Sequence, residues 1–274
     1  MCTPTSDDIA PEGHPLELLF ERCNLPSFAL PAALSASYGG TLGFDSPCLF
    51  ANFVCSVDGV VALPGDVESG QIISGRNRAD RFVMGLLRAC ADAVLVGAGT
   101  FRKGAGHLWH PGRIYPAAAG LFAEARRALG LSVQPQFVLV SASGELDTDE
   151  PAIPGAIIIT TRAGANKLHG RAPASTRVVA LDGERVELSA VLDFLHAQGL
   201  QRVLTEGGPT LVAELVARRL LDQLFVTSSP SLFGRFAGDQ RKSLADGVDL
   251  SGTRLELLSA RRHASHLFLR YALG

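Results

Sequence analysis

The chain has 274 residues, 47% of them hydrophobic, and a formal net charge of −2. That length suits one large α/β domain or two small ones and is ample for a buried core. The near-neutral balance argues against a general electrostatic role on nucleic acid or on an anionic membrane surface.

The N-terminus, "MCTPTSDDIAPEGHP", is acidic and lacks a basic segment followed by an apolar core, so it does not read as a signal peptide. No apolar run approaches the roughly 20 residues needed to span a bilayer. A soluble, cytoplasmic protein is expected. Residues 1–15 read as a disordered leader. "LELLFERC" has apolar residues at helical spacing and predicts a short helix, and "YGGTLGFDSP" is loop chemistry. Residues 1–47 are therefore expected to be an N-terminal extension, partly disordered or helical, ahead of one domain over 48–274.

From residue 48 the pattern sharpens. "CLFANFVCSV" is a continuous apolar run ended by the turn signal Asp58-Gly59. "RNRADRFVMGLLRAC" puts Phe82, Val83, Leu86, Leu87 and Cys90 on one helical face. "DAVLVGAGTF" is a buried strand running into glycines, followed by a loop and a helix near 118–130. Strands are predicted at 136–141, 156–161 and 177–181, then a helix at 188–198. The strand "RVLTE", a helix over 210–220 and the strand "QLFVTSS" come next, and the tail reads as a closing antiparallel pair. Uninterrupted hydrophobic strands separated by helices predict an α/β fold. Its sheet should be mostly parallel, with helices on both faces and an antiparallel C-terminal edge.

The five cysteines, Cys2, Cys23, Cys48, Cys55 and Cys90, are scattered and form no CxxC pair. Neither a disulfide framework nor a zinc site is indicated, and a reducing cytosol fits best. His169, His196, His263 and His266 have no convincing metal spacing, so no metal is predicted.

Open α/β sheets bind ligands where strand C-termini meet helix N-termini. Two such corners stand out: Gly97, Ala98, Gly99 and Thr100 after one strand, and Gly207, Gly208, Pro209 and Thr210 after another. Glycines let backbone approach a phosphate, and the free N–H groups of a first helical turn stabilise an anion. Proline suits that turn because its missing N–H is no loss there. Neither corner is a dinucleotide fingerprint or a Walker loop. Each alone reads equally as a tight turn; together they suit a long ligand with a pyrophosphate. Glu206, which would repel a phosphate, is expected to face a substrate's N–H or hydroxyl groups instead.

In order, "FVCSVDGVVA", "IISG", "LLRACADAVLVGAGT", "VLTEGGPTLVAEL" and "SSPSLFG" resemble the pyrimidine reductase domain of riboflavin biosynthesis over roughly residues 48–270. The resemblance implies a dihydrofolate-reductase-like fold, NADPH as cofactor and a homodimer. It also implies reduction of the ribosyl group of 5-amino-6-(5-phosphoribosylamino)uracil by hydride transfer to C1′. The zinc signature of the companion deaminase is missing, which implies a stand-alone reductase. By position, Val54 and Ser56 would line the nicotinamide and substrate region, and Ser74, Thr100 and the Gly97–Gly99 turn would contact the cofactor. Glu206 matches a substrate-binding acid, Gly207 to Thr210 a phosphate loop, and Arg88 a contact to the substrate phosphate.

After "GAGT" the family's usual acidic pair is absent. The segment "FRKGAGHLWHPGRIYP" instead places His107, Trp109 and His110 where substrate would be held, with Arg113 available for a phosphate. For the cofactor's 2′-phosphate, Arg102 and Lys103 are candidates, with Thr160, Thr161 and Arg162 as rivals. No side chain is an obvious proton donor, although Asp58 is available at a strand end. Two alternatives stand beside this reading. Dihydrofolate-type reduction would want an acid, for which only Asp58 or Glu206 could serve; the other is a nucleotide-binding protein without turnover.

Overall fold

Alternation along the strands explains the architecture. In the computed structural model, which describes residues 9–65, 67–236 and 238–274, successive residues of the central strands are buried on opposite faces of the sheet. Leu49, Ala51, Ala93, Leu95 and Val203 join one apolar cluster, while Phe50, Val94, Val96 and Leu204 join the other. Period-2 geometry with both faces covered requires such unbroken hydrophobic runs.

The strands are β1 (Glu17–Glu21), β2 (Cys48–Ser56), β3 (Val60–Ala62), β4 (Ala93–Gly97), β5 (Gln136–Ser141), β6 (Ile157–Thr161), β7 (Arg177–Leu181), β8 (Arg202–Thr205), β9 (Gln223–Ser229), β10 (Lys242–Ser243), β11 (Leu255–His263) and β12 (His266–Leu273). Ten form one sheet in the order β1-β11-β12-β9-β2-β8-β4-β5-β6-β7, and β3 pairs with β10. From β9 to β7 every pairing is parallel. The β1, β11 and β12 edge is antiparallel. The mostly parallel sheet with an antiparallel C-terminal edge is as the sequence predicts.

The helices are α1 (Ala32–Tyr38), α2 (Ser69–Ile73), α3 (Arg78–Cys90), α4 (Ala98–Lys103), α5 (Pro111–Ile114), α6 (Ala119–Ala128), α7 (Arg162–Leu168), α8 (Leu188–Ala197) and α9 (Pro209–Ala217). Residues of α3 and α6 pack on one face, those of α8 and α9 on the other. Gly85 permits the contact between α3 and α6, because a Cβ there would lie 2.7 Å from the Phe122 ring. Arg126 of α6 is buried and its Nη1 donates to the carbonyls of Arg88, Ala89 and Ala91, capping the C-terminus of α3.

The N-terminal region departs from expectation. "LELLFE" is a strand, not a helix: β1 lies antiparallel to β11 at the sheet edge. A single helical turn is costly to nucleate, whereas β11 offers an unpaired ladder. Glu17 and Glu21 fix the register by pairing with Arg262 and Arg261 across the strands. Of the leader expected to be disordered, residues 1–8 lie outside the described residues. Ile9, Ala10 and Pro11 are buried, and Tyr115 Oη donates to the Ile9 carbonyl at 2.9 Å.

Candidate active site

A cavity of about 610 Å³ opens at the C-terminal ends of β2, β4 and β8, a size that suits a cofactor or substrate. Both glycine corners line it. Gly97 precedes α4 and Gly208 precedes α9, and neither helix start receives a side-chain cap. Their φ values, −90° and −70°, are ones any residue adopts. Space, not backbone strain, is what the glycines supply. The corners touch: a Cβ on Gly208 would lie 3.3 Å from Thr100 Oγ1, and one on Gly97 would lie 3.8 Å from Leu211 Cδ2. A Cβ on Gly99 would meet nothing within 4 Å, so backbone there faces open space. Two uncapped helix starts joined at a bare backbone fit the diphosphate of a nicotinamide dinucleotide.

Beyond the corners, the floor is ionic. Arg88 Nε and Nη2 donate to Glu206 Oε1 and Oε2 at 2.8 and 2.6 Å, in a bidentate pair whose side chains are 2% and 8% exposed. Arg88 Nη1 is buried with no partner. Asp80, Met84 and Arg88 recur every four residues, so a single stripe of α3 faces the cavity. Asp80 is the carboxylate the sequence reading missed. It is 5% exposed, and burial pushes its carboxyl up to about 6. A hydrogen bond from Thr227 and the charge of Arg81 oppose that rise, and the charge of Glu206 adds to it. The four-residue repeat with Arg88 was the available signal.

Of the residues singled out from sequence, Val54, Ser74, Arg88, Gly97, Gly99 and Thr100 line the cavity, as do Glu206 to Thr210. Others lie elsewhere. Ser56 is buried under the turn and donates to Asp58 at 2.5 Å. Asp58 also accepts from the backbone N–H of Gly234 at 2.7 Å and of Phe233, so it ties the Asp-Gly turn to the 231–234 loop. Ala98 packs into the apolar core rather than the cavity. Arg102 is exposed and does not line the cavity, while Lys103 is the basic residue of α4 that does. Thr160 is fully buried, its hydroxyl against Gly164. Thr161 caps α7 and Arg162 pairs with Asp182, so neither reaches the cavity.

In the altered segment, His107 and Trp109 line the cavity. His107 Nδ1 lies 3.3 Å from Glu68 Oε1 across it, and Trp109 stacks on Phe137 with ring centres 4.6 Å apart. His110 and Arg113 do not line it; burial, and then Arg113, push the His110 imidazole downward. Lys242 of β10, which sequence gave no reason to select, lines the cavity with its Nζ 3.5 Å from Thr210 Oγ1.

The profile of the RibD C-terminal domain family matches residues 47–269. The chain belongs to that family. The resemblance read from the ordered motifs therefore holds, over nearly the same span. Among curated relatives of this RibD C-terminal domain is the 2,5-diamino-6-ribosylamino-4(3H)-pyrimidinone 5′-phosphate reductase of Archaeoglobus fulgidus. It is 28% identical over 207 residues, covering 73% of this chain and 87% of the relative. The Aquifex aeolicus protein of the same name is 23% identical over 179 residues, covering 65% and 75%. A solved pyrimidine reductase-like protein from Corynebacterium diphtheriae has a TM-score of 0.65 at 23% identity, covering 90% of this chain and 96% of that one. The riboflavin biosynthesis reductase of Saccharomyces cerevisiae has a TM-score of 0.54 at 14% identity, covering 85% and 93%. These two likenesses bear on the fold.

Proposed function

We propose that the chain is an NADPH-dependent reductase converting the ribosyl group of a ribosylamino-pyrimidine 5′-phosphate to a ribityl chain in riboflavin biosynthesis. One observation carries this reading. Two uncapped helix starts and an arginine-held carboxylate meet in one cavity, in a chain whose curated relatives are named for that reduction.

The cofactor supplies hydride from C4 of its nicotinamide to C1′ of the opened sugar. The protein holds and aligns. Backbone N–H groups at Gly97–Thr100, Gly208 and Thr210 would hold the diphosphate, and Val54 and Ser74 would border the nicotinamide. Glu206 accepts from N–H groups of the pyrimidine, and Arg88 fixes the carboxylate's orientation by its bidentate grip. Arg88 thus positions Glu206, while its unpartnered Nη1 stays available to a substrate phosphate. Lys103 and Lys242 take the place of Arg102 as cations for the cofactor's 2′-phosphate. A homodimer in the cytoplasm, binding a small-molecule substrate and no nucleic acid, completes the reading.

The test mixes purified protein with NADPH and, separately, the diamino and the amino-uracil forms of the ribosylamino-pyrimidine phosphate, with dihydrofolate as the competing substrate. Loss of reduced-nicotinamide absorbance with a pyrimidine, and not with dihydrofolate, supports the reading. Binding of NADPH without turnover supports a non-catalytic binder, and failure to bind it ends the reading.

A further inference from the structure

Asp80 does not play the part its position in the helix would give it. It occupies the first turn of α3, where a carboxylate ordinarily returns to the helix's own backbone or simply complements the dipole. Here Asn77 does the capping, its Oδ1 accepting from the Asp80 N–H at 3.0 Å. The Asp80 side chain instead reaches across to the hydroxyl of Thr227 on β9. Thr227 is in register with Val54 on β2, which borders the cavity where the nicotinamide is expected. Two helical turns along from Asp80, Arg88 holds Glu206 at the end of β8. Asp80 thus sits on the cavity wall between the strand bordering the reacting ring and the carboxylate assigned to the pyrimidine.

We propose that Asp80 is the proton donor of the reduction, delivering its carboxyl proton to the ribosylamino nitrogen of the substrate. The step balances. The carbon of the C=N bond takes the hydride of a reduced nicotinamide, the π electrons of that bond move onto nitrogen, and nitrogen takes the proton from Asp80. The nicotinamide is oxidised, the C=N bond becomes C–N, and the carboxylate left on Asp80 is reprotonated by water entering the cavity. Glu206 is unsuited to this task because both its oxygens accept from Arg88. Asp58 is tied to the 231–234 loop outside the cavity.

The charged and titratable groups around Asp80 favour a proton held near neutrality. Arg81 and Arg88 lie on its own helix, Glu206 follows β8, and His266 on β12 contacts Asn77 at 3.1 Å. Burial pushes the His266 imidazole down, and its hydrogen bond to the Ser74 backbone opposes that shift. Arg88 is already paired, so the cation left to oppose Glu206 and burial is Arg81. The Asp80 carboxyl, held up to about 6, then carries a proton at a pH where ordinary aspartates have lost theirs.

The inference rests on the reductase reading, and its test separates the two. Wild-type protein that turns over no ribosylamino-pyrimidine overturns both. With an active wild type, Asp80→Asn is expected to lower kcat about a hundredfold or more, with NADPH affinity kept. The wild-type rate, which needs the protonated acid, should fall as pH rises through about 6, and the variant should lose that limb. Carbon NMR of the free protein, labelled at aspartate carboxyls, should show one group titrating near pH 6 that Asp80→Asn removes. Thr227→Val, which deletes a hydrogen bond favouring the carboxylate, should move the limb to higher pH. This second variant decides the matter if Asp80→Asn does not fold. An Asp80→Asn enzyme with wild-type kcat and pH profile, no such NMR resonance, or an unmoved limb in Thr227→Val overturns the assignment.

Discussion

The rim of the sheet contains corners that look alike in sequence and differ in what they can hold. At the ends of β4 and β8, strand, small residues and helix follow one another, and the same is true where β6 runs into α7. The first two stay open because α4 and α9 start without a side-chain cap, although the Gly207 N–H just ahead of α9 donates to Thr205 Oγ1 at 3.2 Å. The third is sealed. Thr161 Oγ1 accepts from Gly164 N at 3.1 Å and donates to the Ala142 carbonyl at 2.8 Å, and Gly144 packs directly against the Gly164 backbone. A helix N-terminus binds an external anion only when its own chain leaves the N–H groups unmet. The ion pairs differ in the same way: Arg88–Glu206 is buried, whereas Arg162–Asp182 is 78% and 83% exposed.

That contrast sets the order of expected effects. Arg88→Met strands Glu206 without its partner and should cost about 3–5 kcal/mol in denaturant unfolding. Arg162→Met at the sealed corner should cost well under about 1 kcal/mol, because solvent screens an exposed pair. Equal losses at the two sites would erase the distinction. Gly99→Val places a side chain in the open corner and should weaken NADPH binding about a hundredfold, roughly 2.7 kcal/mol, with an unchanged melting temperature. Fluorescence titration reads the first and calorimetry the second. Lys103→Ala should weaken NADPH about tenfold, roughly 1.4 kcal/mol, with NADH affinity unchanged. Arg102→Ala should alter neither. Smallest is Thr161→Ala, which removes the cap of α7 at a cost of about 1 kcal/mol. It should leave cofactor affinity as it was, and a gain of ligand binding at that corner would break the comparison.

Much of the site was legible before the fold. Gly97, Gly99, Gly207 and Gly208 announce themselves, because no other residue leaves backbone bare between a strand and a helix. Glu206 stood out as a carboxylate beside a phosphate-competent turn, and α3 was readable from its apolar period. What misled was short-range chemistry with two outcomes. Asp58 is both a turn residue and a free acid until the 231–234 loop is seen to bind it. Thr160 sits at a strand end as Thr100 sits just past one, yet the first is buried under α7. Asp80 escaped notice because attention to the apolar face of α3 hides the polar stripe beside it.

Local chemistry alone therefore determined the alternation of strands and helices, the buried runs and the two glycine corners, because these depend on periodicity and side-chain volume within a few residues. Tertiary structure decided that "LELLFE" is an edge strand, that Arg88 grips Glu206 118 positions away, and that Asp80 faces the cavity. Those outcomes depend on partners supplied by distant segments, and a hydrogen bond or an ion pair forms only with the group that folding brings within reach.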